Sequence, residues 1–207
     1  MVPRYFIVNK PYDMLSQFVC AKGGELLGSL DFNFPEGIHA VGRLDKQSEG
    51  LLILTTNKKI TRLLFQGDIL HKRTYLVKVK NKVSEESLQQ LRTGIKIRVK
   101  GGENYTTTAC EASIVQKPAG LFQQVNPLPD FAPHTWLRIT LTEGKYHQIR
   151  KMVRIIHHRC QRLIRFSIED LALEDLAPGQ VREIEETAFF RLLKINNPSL
   201  SVATAAL

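Results

Sequence analysis

Strand-length apolar runs, each cut off by turn-forming residues, constrain this chain more than any other feature. "YFIV" (5–8) stops at Asn9-Lys10-Pro11, where proline has no N–H to extend a ladder. The continuous run at 51–54 is too short for a typical helix and reads as a buried strand. "RTYLVKVK" (73–80) alternates, with Tyr75, Val77 and Val79 on one side and Leu76, Lys78 and Lys80 on the other. "IKIRVK", "CEASIV", "TWLRITL" and "QRLIRFSI" follow the same logic, and "HAVGRLD" gives a short strand entering a turn. Helical spacing is rarer. It occurs in "KKITRLLFQ", with Asn57 placed to cap it, in "SEESLQQLRTG" after Ser84, and in "EETAFFRLLKI". "KYHQIRKMVRIIHHR" is the strongest amphipathic pattern, with Ile149, Met152, Val153 and Ile156 on one stripe. Strands therefore dominate without βαβ alternation, which predicts an α+β fold. Residues 21–37 and 117–134 are rich in Gly or Pro and read as loops.

With 207 residues the chain suits one sizeable domain, or two small subdomains sharing a sheet. No apolar stretch reaches the ~18–20 residues that span a bilayer. Asn9, Lys10 and Asp13 interrupt any signal-peptide core. Cys20, Cys110 and Cys160 are odd in number and lack CxxC spacing, which predicts reduced thiols in a cytoplasmic protein. Lys and Arg total 29 against 20 Asp and Glu, a formal charge of +9 that favours a polyanionic partner. Seven of these cations fall within residues 144–168, which contain no acid. Such one-sided charge is the footprint of a nucleic-acid binder.

Three places carry chemistry. Asp45 lies between Arg43 and Lys46, and nearby cations favour its anion, as a nucleophile requires. A turn salt bridge is the commoner use of such an aspartate. Tyr75 either packs in a core or stacks on a base. Residues 141–153, "LTEGKYHQIRKMV", put a glycine turn before a basic helix whose N-terminus attracts phosphate. No P-loop, GxGxxG or GxSxG motif is present, and the histidine spacing argues against zinc.

In order along the chain, "FIVNKPYDML", "GRLDKQSEGLL", "RTYLVKV", "LTEGKYHQIRKM" and "RLIRFSIEDLALEDLAPGQVREI" resemble the motifs of the pseudouridine synthase family. The likeness is to its branch of bacterial ribosomal-RNA enzymes, and it covers roughly residues 4–185. It implies a mixed, mainly antiparallel central sheet with flanking helices, and an active-site cleft between two subdomains. The branch commonly carries an N-terminal S4 module, but the likeness begins near residue 4, so the expectation is a catalytic domain over residues 1–195 without that module, then a flexible tail over 196–207.

The implied reaction isomerises a uridine of large-subunit (23S) ribosomal RNA to pseudouridine, in a monomer, without cofactor or metal. Asp45 would attack the flipped nucleotide at ribose C1′ or uracil C6. Tyr75 would stack on the base and assist proton removal from C5, and Arg150 would pair with Asp45. Arg43 would fill the gap left by the flipped base, with Leu44 and Leu141 in the pocket wall. Lys145, Gln148, Lys151 and Arg154 would bind RNA. Arg73 stands where the family usually has lysine, and "YHQ" (146–148) replaces asparagine-arginine-glutamine. A non-catalytic ribosome-assembly factor and a tRNA-modifying relative are the alternative readings.

Overall fold

The computed structural model describes residues 2–21, 23–65, 67, 69–124 and 132–196. The first strand, β1 (Tyr5–Lys10), lies between β3 (Glu49–Thr55) and β11 (Val181–Ile184), antiparallel to both. β2 (His39–Val41) pairs with β3. On the other side of β3 come β9 (Cys160–Ile168), β4 (Arg73–Lys80), β8 (His134–Leu141) and β7 (Glu111–Val115), in that order, with β10 (Leu171–Ala172) on β9. β5 (Lys96–Arg98) and β6 (Asn104–Thr106) form a separate ribbon. The helices are α1 (Ile60–Phe65), α2 (Glu85–Thr93), α3 (Gln148–Ile155) and α4 (Glu186–Leu193). This is the α+β arrangement expected, with a mixed and mostly antiparallel sheet.

The period of two explains how the sheet is covered on both faces. Tyr5 and Ile7 join Leu51 and Ile53 in a cluster with Ile60, Leu64, Phe189, Phe190 and Leu193 of α1 and α4. Phe6 and Val8 point the other way and join Leu52, Leu54, Met14 and Leu27. All seven residues of β3 are buried, as the unbroken apolar run required. A third cluster packs Val77, Val79, Leu137 and Ile139 against Leu88 and Leu91 of α2 and Met152 and Val153 of α3. The stripe Ile149, Met152, Val153 and Ile156 is wholly buried.

Helix ends follow local chemistry. The Ser84 hydroxyl accepts from Ser87 N at 3.2 Å, and Asn57 Oδ1 accepts from Lys59 N at 3.1 Å ahead of α1. α3 is shorter than its sequence pattern suggests. His147 (φ 55°) and His157 (φ 63°) turn left-handed at either end, which limits it to eight residues. The strands β6 and β10 were not legible in the sequence, being only three and two residues long. Of the expected loop at 117–134, residues 125–131 lie outside the described residues. So does the expected tail beyond Asn196.

Among the described strands only β3 and β9 pair in parallel, and only through Glu49↔Ile164 and Gly50↔Arg165. This short seam joins the two halves of the sheet. Gly50 has φ +102°, and a Cβ there would stand 2.3 Å from the Arg165 carbonyl oxygen. No other residue fits so close a backbone approach. Across β9 from the seam, the β4 ladder shifts register between Thr74 and Tyr75. The shift sets Tyr75 opposite Arg165, so a bulge aims the tyrosine at the seam.

Candidate active site

A cleft of about 610 Å³ opens at this seam. That volume lies within the ~300–1,000 Å³ of small-molecule sites. Arg43, Leu44, Asp45, Tyr75, Leu141 and Lys145 all line it, together with Arg73, His147 and Arg165. Leu44 and Leu141 are buried and supply apolar wall. Gln148 lines it too, so six of the sequence-derived candidates, from three separate segments, converge with Asp45.

Asp45 sits in the turn between β2 and β3, where Ser48 N donates to its carbonyl at 2.9 Å. The N-terminal segment holds that turn. Leu44 N donates to Ser16 Oγ at 3.0 Å, and the Ser16 hydroxyl donates to Leu44 O at 2.8 Å. Lys10, fully buried, sends its ammonium to three carbonyls: Pro11 O at 2.8 Å, Met14 O at 2.7 Å and Lys46 O at 3.2 Å. "NKPYDMLS" is therefore a scaffold under the acid. Asp45 itself keeps 29% of its side chain exposed, enough to meet a ligand.

Burial pushes the Lys10 ammonium down to about 8, against the attraction of Glu49, Asp13 and Asp45. Between pH 8 and 10 the unfolded chain keeps the proton that the folded one has released. Lys10 therefore makes stability rise with pH across that window. Chemical denaturation at pH 7, 8, 9 and 10 should show wild type gaining stability relative to Lys10→Met as the pH rises. A pH-independent difference would mean that Lys10 does not titrate there.

The Asp45–Arg150 ion pair expected from the sequence is not formed. Arg150 reaches past the acid to the far side of the turn, donating to Gln47 O at 2.7 Å and Ser48 Oγ at 3.4 Å. It braces the loop from outside the cleft. The basic group at Asp45 is His147, whose Nε2 lies 3.4 Å from Oδ1 and forms an ion pair when the ring is protonated. The left-handed His147 backbone, one residue before α3, places that ring.

Gln148 lines the cleft and also has a structural use. It is 4% exposed, and both ends of its amide are used internally: Lys145 N donates to Oε1 at 2.8 Å, and Nε2 donates to Glu143 Oε1 at 2.6 Å. Gln148 is a brace for the glycine turn. Lys145 lies with its Nζ 4.5 Å from the Tyr105 ring centroid, and Lys151 stands 5.2 Å from the Tyr146 ring centroid. Arg154 is exposed on α3, outside the cleft lining.

Arg165 escaped the sequence reading except as one member of a basic run. It is buried, its Nε donates to Leu51 O at 2.7 Å, and it interacts with Tyr75. Burial pulls its pKa down, and Tyr75 opposes that shift. Its Nη2 is buried and meets no acceptor among the described residues. Arg73, also lining the cleft, donates to Thr142 O at 2.6 Å and lies over the Phe65 ring. The arrangement combines a fixed carboxylate, an aromatic ring, a buried guanidinium and an apolar wall. It suits nucleophilic attack on an electrophilic carbon, with cations to attract an anionic polymer. Among the described residues no group of three His, Cys, Asp or Glu side chains could hold a metal ion.

Comparison with known proteins gives the same reading. The model of the RNA pseudouridylate synthase family matches residues 4–154. A ribosomal large subunit pseudouridine synthase E of Vibrio vulnificus (strain CMCP6) is 36% identical over 183 residues, 87% of this chain and 75% of that protein. A ribosomal small subunit pseudouridine synthase A of Yersinia pestis is 30% identical over 88% of this chain and 69% of that protein. A crystal structure of a pseudouridylate synthase has a TM-score of 0.75 at 24% identity, covering 93% of this chain and 74% of its own. Motif order, sheet topology and family match agree: the chain belongs to the RNA pseudouridine synthase family of isomerases.

Proposed function

We propose that the protein converts one uridine of large-subunit ribosomal RNA to pseudouridine, with Asp45 as the nucleophile. The observation that carries the mechanism is the placement of Asp45 and Tyr75 on one cleft, with an apolar wall formed by Leu44 and Leu141. The choice of large-subunit RNA follows the higher identity to the large-subunit relative.

The target nucleotide leaves its stack and enters the cleft, at a cost of about a few kcal/mol. Arg43, exposed at the rim, takes the space behind it. Phosphate contacts from Lys145 and Lys151 offset part of the cost and make binding fall with salt. The Asp45 carboxylate attacks C1′, the C1′–N1 bond breaks, and uracil leaves with the electron pair. The apolar wall retains the detached base while it turns to present C5. C5 then bonds to C1′ and releases the carboxylate. Tyr75, stacked on the base, assists loss of the C5 proton, and N1 gains a proton. Attack at C6 gives the same net isomer.

Pseudouridine mapping of ribosomal RNA from a strain lacking the gene tests this reading. One position of large-subunit RNA should revert to uridine, and a plasmid copy of the gene should restore it. An unchanged set of pseudouridines would contradict the assignment.

A further inference from the structure

Tyr146 stands on the rim of the cleft with 61% of its surface exposed. It is nevertheless not a loose side chain. Its ring stacks on His147 at 4.0 Å between centroids and 17° between planes, and His147 in turn touches Asp45. The backbone beneath both rings is locked. Gln148 bonds Lys145 N and Glu143, and Glu143 also accepts from Thr108 N and the Tyr105 hydroxyl. An exposed aromatic ring held this rigidly costs little further entropy when it meets a ligand. It lies one aromatic layer out from the group on the nucleophile, and the Lys151 ammonium is 5.2 Å from its centroid.

We propose that Tyr146 is a stacking platform for the base next to the everted uridine, with Lys151 taking the phosphate between the two nucleotides. This rests on the proposed RNA-modifying function and adds a second nucleotide subsite to it. A single strand threaded across the rim must put its next base somewhere, and a π-face is the surface that every base accepts. The tyrosine would thus favour targets whose neighbouring base is unpaired, which gives the enzyme a way of choosing among uridines by RNA shape.

The test uses ten-nucleotide single-stranded RNAs with 2-aminopurine on the 5′ or the 3′ side of a central uridine. Binding to wild type should quench the fluorescence of one of the two. Tyr146→Phe keeps the ring and should quench equally. Tyr146→Ala should abolish the quench and weaken binding roughly 5- to 100-fold. On ribosomal RNA, Tyr146→Ala should raise KM while kcat stays within about threefold, since the residue touches no reacting atom. The proposal is overturned if wild type fails to bind the oligonucleotides or binds without quenching. It is equally overturned if the alanine variant quenches as wild type does, or if the phenylalanine variant behaves like alanine. A wild type that modifies no ribosomal uridine would remove the proposed substrate instead. The quench, which needs only a bound strand, would still decide the stacking claim.

Discussion

Arg162→Ala is expected to lower the unfolding free energy by about 3–5 kcal/mol. For a chain of this size that is a fall in Tm of roughly 10 °C. The cause is the position of Arg162 at the seam. Its guanidinium grips Glu49 through Nε at 3.0 and 3.2 Å and through Nη2 at 2.7 Å, with both side chains 7% exposed. It also donates to Phe122 O at 2.9 Å. Alanine leaves the Glu49 carboxylate buried without a cation, and such a charge pays a desolvation penalty that nothing repays. The double variant Glu49→Leu with Arg162→Met should recover most of the loss, because apolar groups of similar volume do not need a partner. Thermal and denaturant unfolding of the three proteins check this. If the double variant is as unstable as the single one, the pair matters for the backbone approach at Gly50 and not for charge balance.

Asp45→Asn is expected to reduce isomerisation at least about 10⁴-fold, the scale seen when an enzyme loses its nucleophile. The amide oxygen cannot form the bond to carbon that expels uracil. Affinity for RNA should stay within about threefold of wild type, because the change removes a negative charge from a cleft that attracts phosphate. Asparagine keeps the size of the side chain, and the backbone bonds of the turn to Ser16 and Ser48 do not involve the carboxylate. The variant should therefore fold as wild type does. A non-catalytic RNA-binding protein would show the same affinity without any activity to lose.

How much of this could be read beforehand depended on the kind of interaction. The apolar runs foretold β1, β3 and β4 because period and burial are local properties of a strand. The cleft could be anticipated because Asp45, Tyr75 and Leu141 each lie in a recognisable segment. Its cations could not. Arg150 and His147 lie three residues apart in one basic stretch, and only the left-handed turn at His147 decides which of them faces Asp45. Lys10, Glu49, Arg162 and Arg165 are all buried, which no local pattern in the sequence signals. Their partners are carbonyls or side chains up to 114 residues away, a distance that no periodic pattern reports. Gln148 belongs to a basic stretch by sequence, and its bracing contacts with Lys145 and Glu143 could not be read there.

The central claim is that the Asp45 carboxylate opens the path by which C5 replaces N1 at the sugar. Pseudouridine formation releases the hydrogen on C5, so tritium at that position reports the reaction directly. Large-subunit ribosomal RNA from a strain lacking the gene, labelled with tritium at C5 of its uridines, is incubated with excess enzyme in a single turnover. Wild type should release one equivalent of tritium per RNA, and Asp45→Asn, bound to the same RNA, should release none above background. Release by Asp45→Asn at a rate within tenfold of wild type would contradict the account.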